Sequence, residues 1–218
     1  MLLNTKQISI ATGCLILFVL ISIFSIQNQL VLIDQMIISF LVERSSTFLV
    51  TVMEAITKIG SGETILLLTF IIGGFLLVKK MWGVAILLFT LSFGGIALNF
   101  FLKILFQRER PGEMSVIEVF GYSLEIASYS FPSGHTMRSV ILFSFLIFLC
   151  YRLVRHSLSK MMVLVLFMIL IVAVALSRII VGAHFPSDIF AAITISITWF
   201  YFCLFLLRYI FRNQPLTL

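Results

Sequence analysis

The stretch Phe131–Met137, FPSGHTM, joins a polar segment to an apolar one and carries His135. Pro132 fixes its own φ and has no amide donor, which suits the threshold of a helix better than its interior. Ser133 and Gly134 then offer a hydroxyl and an unobstructed backbone. At such a helix start, free N–H groups and the positive end of the dipole favour a bound anion. His135 follows as a group able to give or take a proton near neutral pH. An anion cradle beside a proton donor points to phosphate chemistry. Taken alone, Pro-Ser-Gly-His reads equally well as an ordinary helix cap, and its surroundings must decide.

Two other clusters bear on that choice. Lys103 precedes Arg110-Pro111, and Asn99, Lys103 and Gln107 recur every fourth residue, on one face of a helix. Further on come Ser177-Arg178, His184 and Asp188. If Pro186 begins a helix, Asp188 lies in its first turn, close enough to hold a ring nitrogen of His184. Singly, each residue has a plain reading: Lys103 and Arg178 snorkel to a membrane interface, His184 is a loop histidine, and Asp188 is a helix N-terminal carboxylate. Cations, two histidines, a carboxylate and an anion-ready helix start at one place are a poor match to coincidence.

The elements that position these clusters follow from composition. The chain has 218 residues, 61% of them hydrophobic and 11% charged, where a soluble domain has about 25% charged. The apolar runs reach the roughly 20 residues needed to cross a bilayer. The expected fold is all-α: one polytopic membrane domain over residues 1–218 with about six transmembrane helices. Spans are expected near 8–26, 63–78, 82–106, 135–151, 161–177 and 186–207. The first run is long and lacks a small-x-small cleavage pattern, so it reads as a span, not a signal peptide. Between Leu30 and Gly60 the apolar residues thin out. There Phe48, Val52, Ile56 and Ile59 suit a helix in the membrane surface or a short packed helix within a loop. Gly73-Gly74 and Gly94-Gly95 would let neighbouring helices approach closely. Cys14, Cys150 and Cys203 lie in apolar stretches without metal-like spacing and read as packing residues.

Charge orients the bundle. An even number of spans puts both termini on one side, with Lys6, Lys79, Lys80, Arg152, Arg155, Lys160, Arg208 and Arg212. All 9 Asp and Glu residues fall on the other side. The positive-inside rule then makes the termini cytoplasmic and turns all three polar clusters outward. No basic run of the kind that binds nucleic acid is present. Short loops point to a bacterial plasma membrane.

Lys103-x6-Arg110-Pro111, Pro132-Ser133-Gly134-His135 and Ser177-Arg178-x5-His184-x3-Asp188 together resemble the three-part signature of the type-2 phosphatidic acid phosphatase superfamily. Every motif position is matched, in order, across residues 103–188. The resemblance implies that His184 is the nucleophile, forming a phosphohistidine, and that Asp188 fixes its tautomer. It implies that His135 protonates the leaving group and then activates water. Lys103, Arg110, Ser133, Gly134 and Arg178 would hold the phosphate oxygens, with no metal and no cofactor. The substrate would be a lipid phosphate whose tail stays in the bilayer: phosphatidylglycerophosphate, phosphatidate or undecaprenyl pyrophosphate. Some undecaprenyl-pyrophosphate members carry Asp where this chain has Gly134, which favours the phosphatidylglycerophosphate branch over a dedicated pyrophosphatase. A haloperoxidase fits poorly, because those relatives are soluble, and a lipid-phosphate transporter would not need nucleophile, acid and carboxylate together. Oligomeric state is not legible.

Arg138 belongs to no motif. It follows His135 by three residues, on nearly the same helix face and one turn deeper. A cation within a span is costly, so it needs a partner: Glu63 or Glu125, or a substrate contact beyond the phosphate being cleaved.

Overall fold

The computed structural model describes residues 3–111, 117–119, 122–124 and 129–212. Helix α1 covers Thr5–Ile26 and starts in a capping box, Gln7 N donating to Asn4 Oδ1 (2.8 Å) and Asn4 N to Gln7 Oε1 (3.1 Å). Helices α2 (Val31–Val42) and α3 (Thr47–Thr57) meet at 115°, and α3 runs on into a 3-10 turn, Lys58–Gly60. Then come α4 (Gly62–Val78), α5 (Trp82–Phe106), α6 (Gly134–Leu153), α7 (Ser157–Ile180) and α8 (Pro186–Ile210). A short antiparallel hairpin, β1 (Ile117–Val119) with β2 (Tyr122–Leu124), lies in the loop before α6. The architecture is all-helical apart from that hairpin, and the chain is a multi-pass membrane protein.

Among the described residues five helices, α1 and α5–α8, are long and apolar enough to cross a bilayer. The expected second span is α4, whose 17 residues stand at the lower limit of about 17–25 for a transmembrane helix. Side chains on these helices are divided by what they face. Leu87, Leu88, Leu91, Met137, Leu142, Phe145 and Leu204 are fully enclosed, while Ile16, Leu67, Phe101, Val165 and Phe190 stand open on the outer surface. Exposed apolar side chains on that scale suit lipid, not water. Gly73 and Gly94 face Phe89 and Trp199 across helix interfaces, whereas Gly74 meets nothing. Thr69 and Ser92 share a hydrogen bond between α4 and α5 (3.1 Å).

The connections at 79–81 and 154–156 are too short for anything but antiparallel neighbours. One end of the bundle therefore gathers the end of α1, the end of α5 and the starts of α6 and α8. A groove of about 460 Å³ there is lined by Ser25, Phe106, Arg110, Phe131 and Phe185. The opposite end brings Gln7 of α1 beside Tyr151 of α6 and Leu204 of α8.

The segment from 30 to 60 differs from a solvent loop. Helix α3 packs on α7, and α2 packs on α7 and α8, both at the groove end. Ile59 joins the cluster of Val140, Phe143 and Ile171, while Phe48 stays exposed. Both helices supply side chains to the site described next.

Candidate active site

Helix α6 begins at Gly134 with Ser133 as its N-cap residue (φ −61°, ψ 115°) and Pro132 just outside, as the sequence pattern requires. Ser133 is fully buried, and its hydroxyl turns to Thr136 Oγ1 (3.0 Å) rather than capping the helix. Its amide donates to the Asp188 carbonyl (3.3 Å), so the starts of α6 and α8 lie side by side. A Cβ on Gly134 would stand 3.0 Å from Asn99 Oδ1 and 3.1 Å from Arg138 Nη1. A side chain there would crowd both groups. Asn99 on α5 donates from Nδ2 to the Pro132 carbonyl (3.1 Å), and Lys103, one turn on, donates to the Tyr129 carbonyl (2.5 Å). Gln107 does not extend that face: it caps α5 in the left-handed region (φ 45°) and faces the groove.

Helix α7 ends at Ile180, and Gly182 takes φ 74°, a conformation that costs a glycine least. The turn folds back so that Ala183 N and His184 N both donate to the Arg178 carbonyl (3.0 and 3.2 Å). Pro186 opens α8, and Asp188 falls in its first turn, its Oδ2 accepting from Phe185 N (2.9 Å). His184 Nδ1 stands 3.5 Å from Asp188 Oδ2 and 3.2 Å from Ser130 Oγ, and Ser130 also donates to Asp188 Oδ2. Nδ1 is thus the engaged ring nitrogen, and no described residue hydrogen-bonds Nε2. Burial draws the His184 pKa down to about 4, with Asp188 opposing the shift. The imidazole is therefore neutral at physiological pH. Burial also lowers Arg110, against the pull of Asp188.

The sequence-selected cations converge. Arg178, Arg138, His184 and Arg110 all act electrostatically on His135. Arg110, Arg138, Asp188 and Arg178 act on Lys103. Arg178 donates from Nη1 to Thr57 Oγ1 (2.8 Å), while its Nε is buried without a partner among the described residues. Arg138 donates from Nε to the Gly60 carbonyl (3.3 Å) and brings Nη2 to 3.5 Å from His135 Nδ1. It makes no ion pair within 4 Å among the described residues: Glu63 acts on it at longer range, and Glu125 lies outside them.

Four residues of the site stand outside both the motifs and the residues singled out from the sequence: Ser130, Thr57, Asp34 and Arg108. Arg108 donates to Asp188 Oδ1 (2.6 Å), Ser187 Oγ (2.7 Å) and Asp34 Oδ2 (2.9 Å). Asp34 has a readable signal, a lone carboxylate in the apolar run VLIDQMI that must find a partner once buried. Ser130 and Thr57 have none.

A model of the PAP2 superfamily matches residues 82–212. Phosphatidylglycerophosphatase B of Bacillus subtilis (strain 168) is 30% identical over 155 residues, which span 69% of this chain and 71% of that protein. The crystal structure of a transmembrane PAP2 type phosphatidylglycerolphosphate phosphatase from the same organism superposes with a TM-score of 0.72 at 27% identity. It covers 99% of this chain and 100% of its own. The structure of Aquifex aeolicus LpxE shares the fold alone (TM-score 0.56, 21% identity, 78% of this chain and 93% of its own). With the family model extending from α5 through α8, over all three polar clusters, the chain belongs to the PAP2 superfamily.

Proposed function

We propose that this protein is a membrane lipid phosphatase that needs no metal and removes a terminal phosphate through a phosphohistidine at His184. The observation that carries the reading is an imidazole held at Nδ1 by Asp188 and Ser130 beside four cationic side chains and a second histidine. The Nε2 lone pair of His184 forms the new bond to phosphorus as the phosphorus–oxygen bond to the lipid breaks. His135 gives its proton to the departing oxygen. In the second step His135 takes a proton from water, the water oxygen attacks phosphorus, and the phosphorus–nitrogen bond breaks to free inorganic phosphate. Asp188 steadies the imidazolium that exists between the two steps. Lys103, Arg110 and Arg178, with the Ser133 hydroxyl and the Gly134 amide, stabilise the charge on the equatorial oxygens.

The relative named phosphatidylglycerophosphatase B supports phosphatidylglycerophosphate as the substrate, with phosphatidate and undecaprenyl pyrophosphate as the competing candidates. Eight basic residues stand at the end of the bundle remote from the site, from Lys6 to Arg212, which supports cytoplasmic termini and a site facing the outer leaflet. One domain over residues 1–218 and a plasma-membrane location complete the reading.

The test is release of inorganic phosphate from the three lipids by purified protein in detergent, with excess chelator. Turnover that persists under chelation and is blocked by vanadate is expected, because fixed cations stabilise a five-coordinate phosphorus. No release from any of the lipids, or activity that vanishes with chelator and returns with Mg²⁺, overturns it.

A further inference from the structure

Arg108 follows the left-handed cap of α5 and is tied to two other elements at once. Its Nη1 donates to Asp188 Oδ1 (2.6 Å) and Ser187 Oγ (2.7 Å) at the start of α8, and its Nη2 donates to Asp34 Oδ2 (2.9 Å) on α2. The guanidinium lies 4.1 Å over the Phe185 ring, next in sequence to His184. Asp34 is 2% exposed, and it also accepts from Ser187 N (2.9 Å) and Ser187 Oγ (2.5 Å). Every oxygen of the two carboxylates therefore has a donor.

Asp188 uses its oxygens for different purposes. Oδ2 faces His184 and Ser130, while Oδ1 faces Arg108. Two buried carboxylates share one guanidinium, leaving a net charge of −1 beside the imidazole. That surplus matches the positive charge His184 acquires when its Nε2 bonds to phosphorus. A guanidinium suits the task because its planar fork serves two carboxylates at fixed angles. Had Arg108 met Asp188 alone, the pair would be neutral, and a carboxylate so neutralised would hold an imidazolium weakly. Among the described residues neither Arg108 nor Asp34 hydrogen-bonds the imidazole or a cradle cation, so they act through Asp188.

We infer that Arg108 and Asp34 are positioning residues that set the orientation and effective charge of Asp188, and through it the tautomer and basicity of His184. The inference rests on the proposed role of His184, and its test reads the imidazole directly as well as turnover. The other charged groups facing His184 are Arg178 from α7 and Lys103 from α5. His135 on α6 and Arg110 lie in the same field, through the histidine pair and through Asp188. All are left unchanged in the variants.

The chain has 3 histidines, so imidazole ¹⁵N spectra of the full protein in detergent are simple, and His184 is assigned by its loss in His184→Gln. The resting protein should show one tautomer, protonated at Nδ1, at pH 7. In Arg108→Met the negative charge on Asp188 is no longer shared. The His184 midpoint should rise by about one unit, the tautomers should mix, and kcat should fall at least about tenfold with KM within twofold. Asp34→Asn leaves Arg108 to Asp188 alone and should move the midpoint the other way, downward. Arg108→Lys, which keeps the charge and loses the fork, is the milder variant: the midpoint should stay within about 0.3 units of the parent, with kcat only partly recovered. Folded Asp34→Asn or Arg108→Lys protein with unchanged kcat overturns the inference, as do midpoints of Arg108→Met and Asp34→Asn that move together. If the parent releases no phosphate from any lipid yet the midpoints part as described, the relay stands and the phosphatase reading falls.

Discussion

On the His184 side of the site, two carboxylates, a guanidinium and two serine hydroxyls close on one another, and every carboxylate oxygen has a donor. On the His135 side, Arg138 and Arg178 make no ion pair among the described residues, and the Arg178 Nε is buried without a hydrogen bond. Leaving a buried donor unmade costs about 1–3 kcal/mol, and more when the group is charged. The first half is complete as it stands. The second carries positive charge with no carboxylate in contact among the described residues, and it surrounds His135, the proposed acid for the leaving oxygen. On the proposed mechanism, the contrast separates a support for the nucleophile from a cradle for phosphate.

The largest effect should come from removing the histidine of either half. His184→Gln should remove turnover by at least about 10⁴-fold, as loss of a nucleophile does in other covalent mechanisms. His135→Ala should cost about 10²–10⁴-fold, the usual worth of a positioned acid–base group, and should let a phosphoenzyme accumulate. Rapid quench followed by site mapping checks both. Phosphate on a side chain other than His184 would reverse the comparison.

A smaller effect is expected within the cradle. Among the described residues Arg138 hydrogen-bonds the Gly60 carbonyl and approaches His135, and its Nη1 stands beside Gly134, where a second phosphate could meet it. Arg138→Met should therefore lower turnover of phosphatidylglycerophosphate or undecaprenyl pyrophosphate about 10–100-fold more than that of phosphatidate, the worth of one or two charge-assisted hydrogen bonds. Equal loss on all three lipids, with a lower melting temperature, would assign Arg138 to the scaffold.

The smallest change sharpens the border between the halves. Thr57→Val removes the hydroxyl that accepts from Arg178 and should raise KM roughly fivefold, about 1 kcal/mol, with kcat little altered. A fall in kcat with KM unchanged would show that Arg178 is held for the transition state alone.

Much of this was legible without coordinates, and for local reasons. A helix start at Gly134 is dictated by Pro132 and Ser133 before it, and the placing of Asp188 near His184 by Pro186 at the first position of α8. The apolar runs determine the membrane-spanning bundle through length and transfer energy, which are properties of short segments. The family signature lies in the same local stretches, Lys103 to Asp188. What only the tertiary structure decided is which distant polar groups answer them. Asp34 meets Ser187 across 153 positions, Arg178 meets Thr57 across 121, Arg108 meets Asp188 across 80, and Ser130 meets Asp188 across 58. No periodicity spans such separations. A buried carboxylate must find donors, but whether they come from a neighbouring turn or from another helix is fixed by how α2, α3, α7 and α8 pack, and that packing is an agreement among all of them at once.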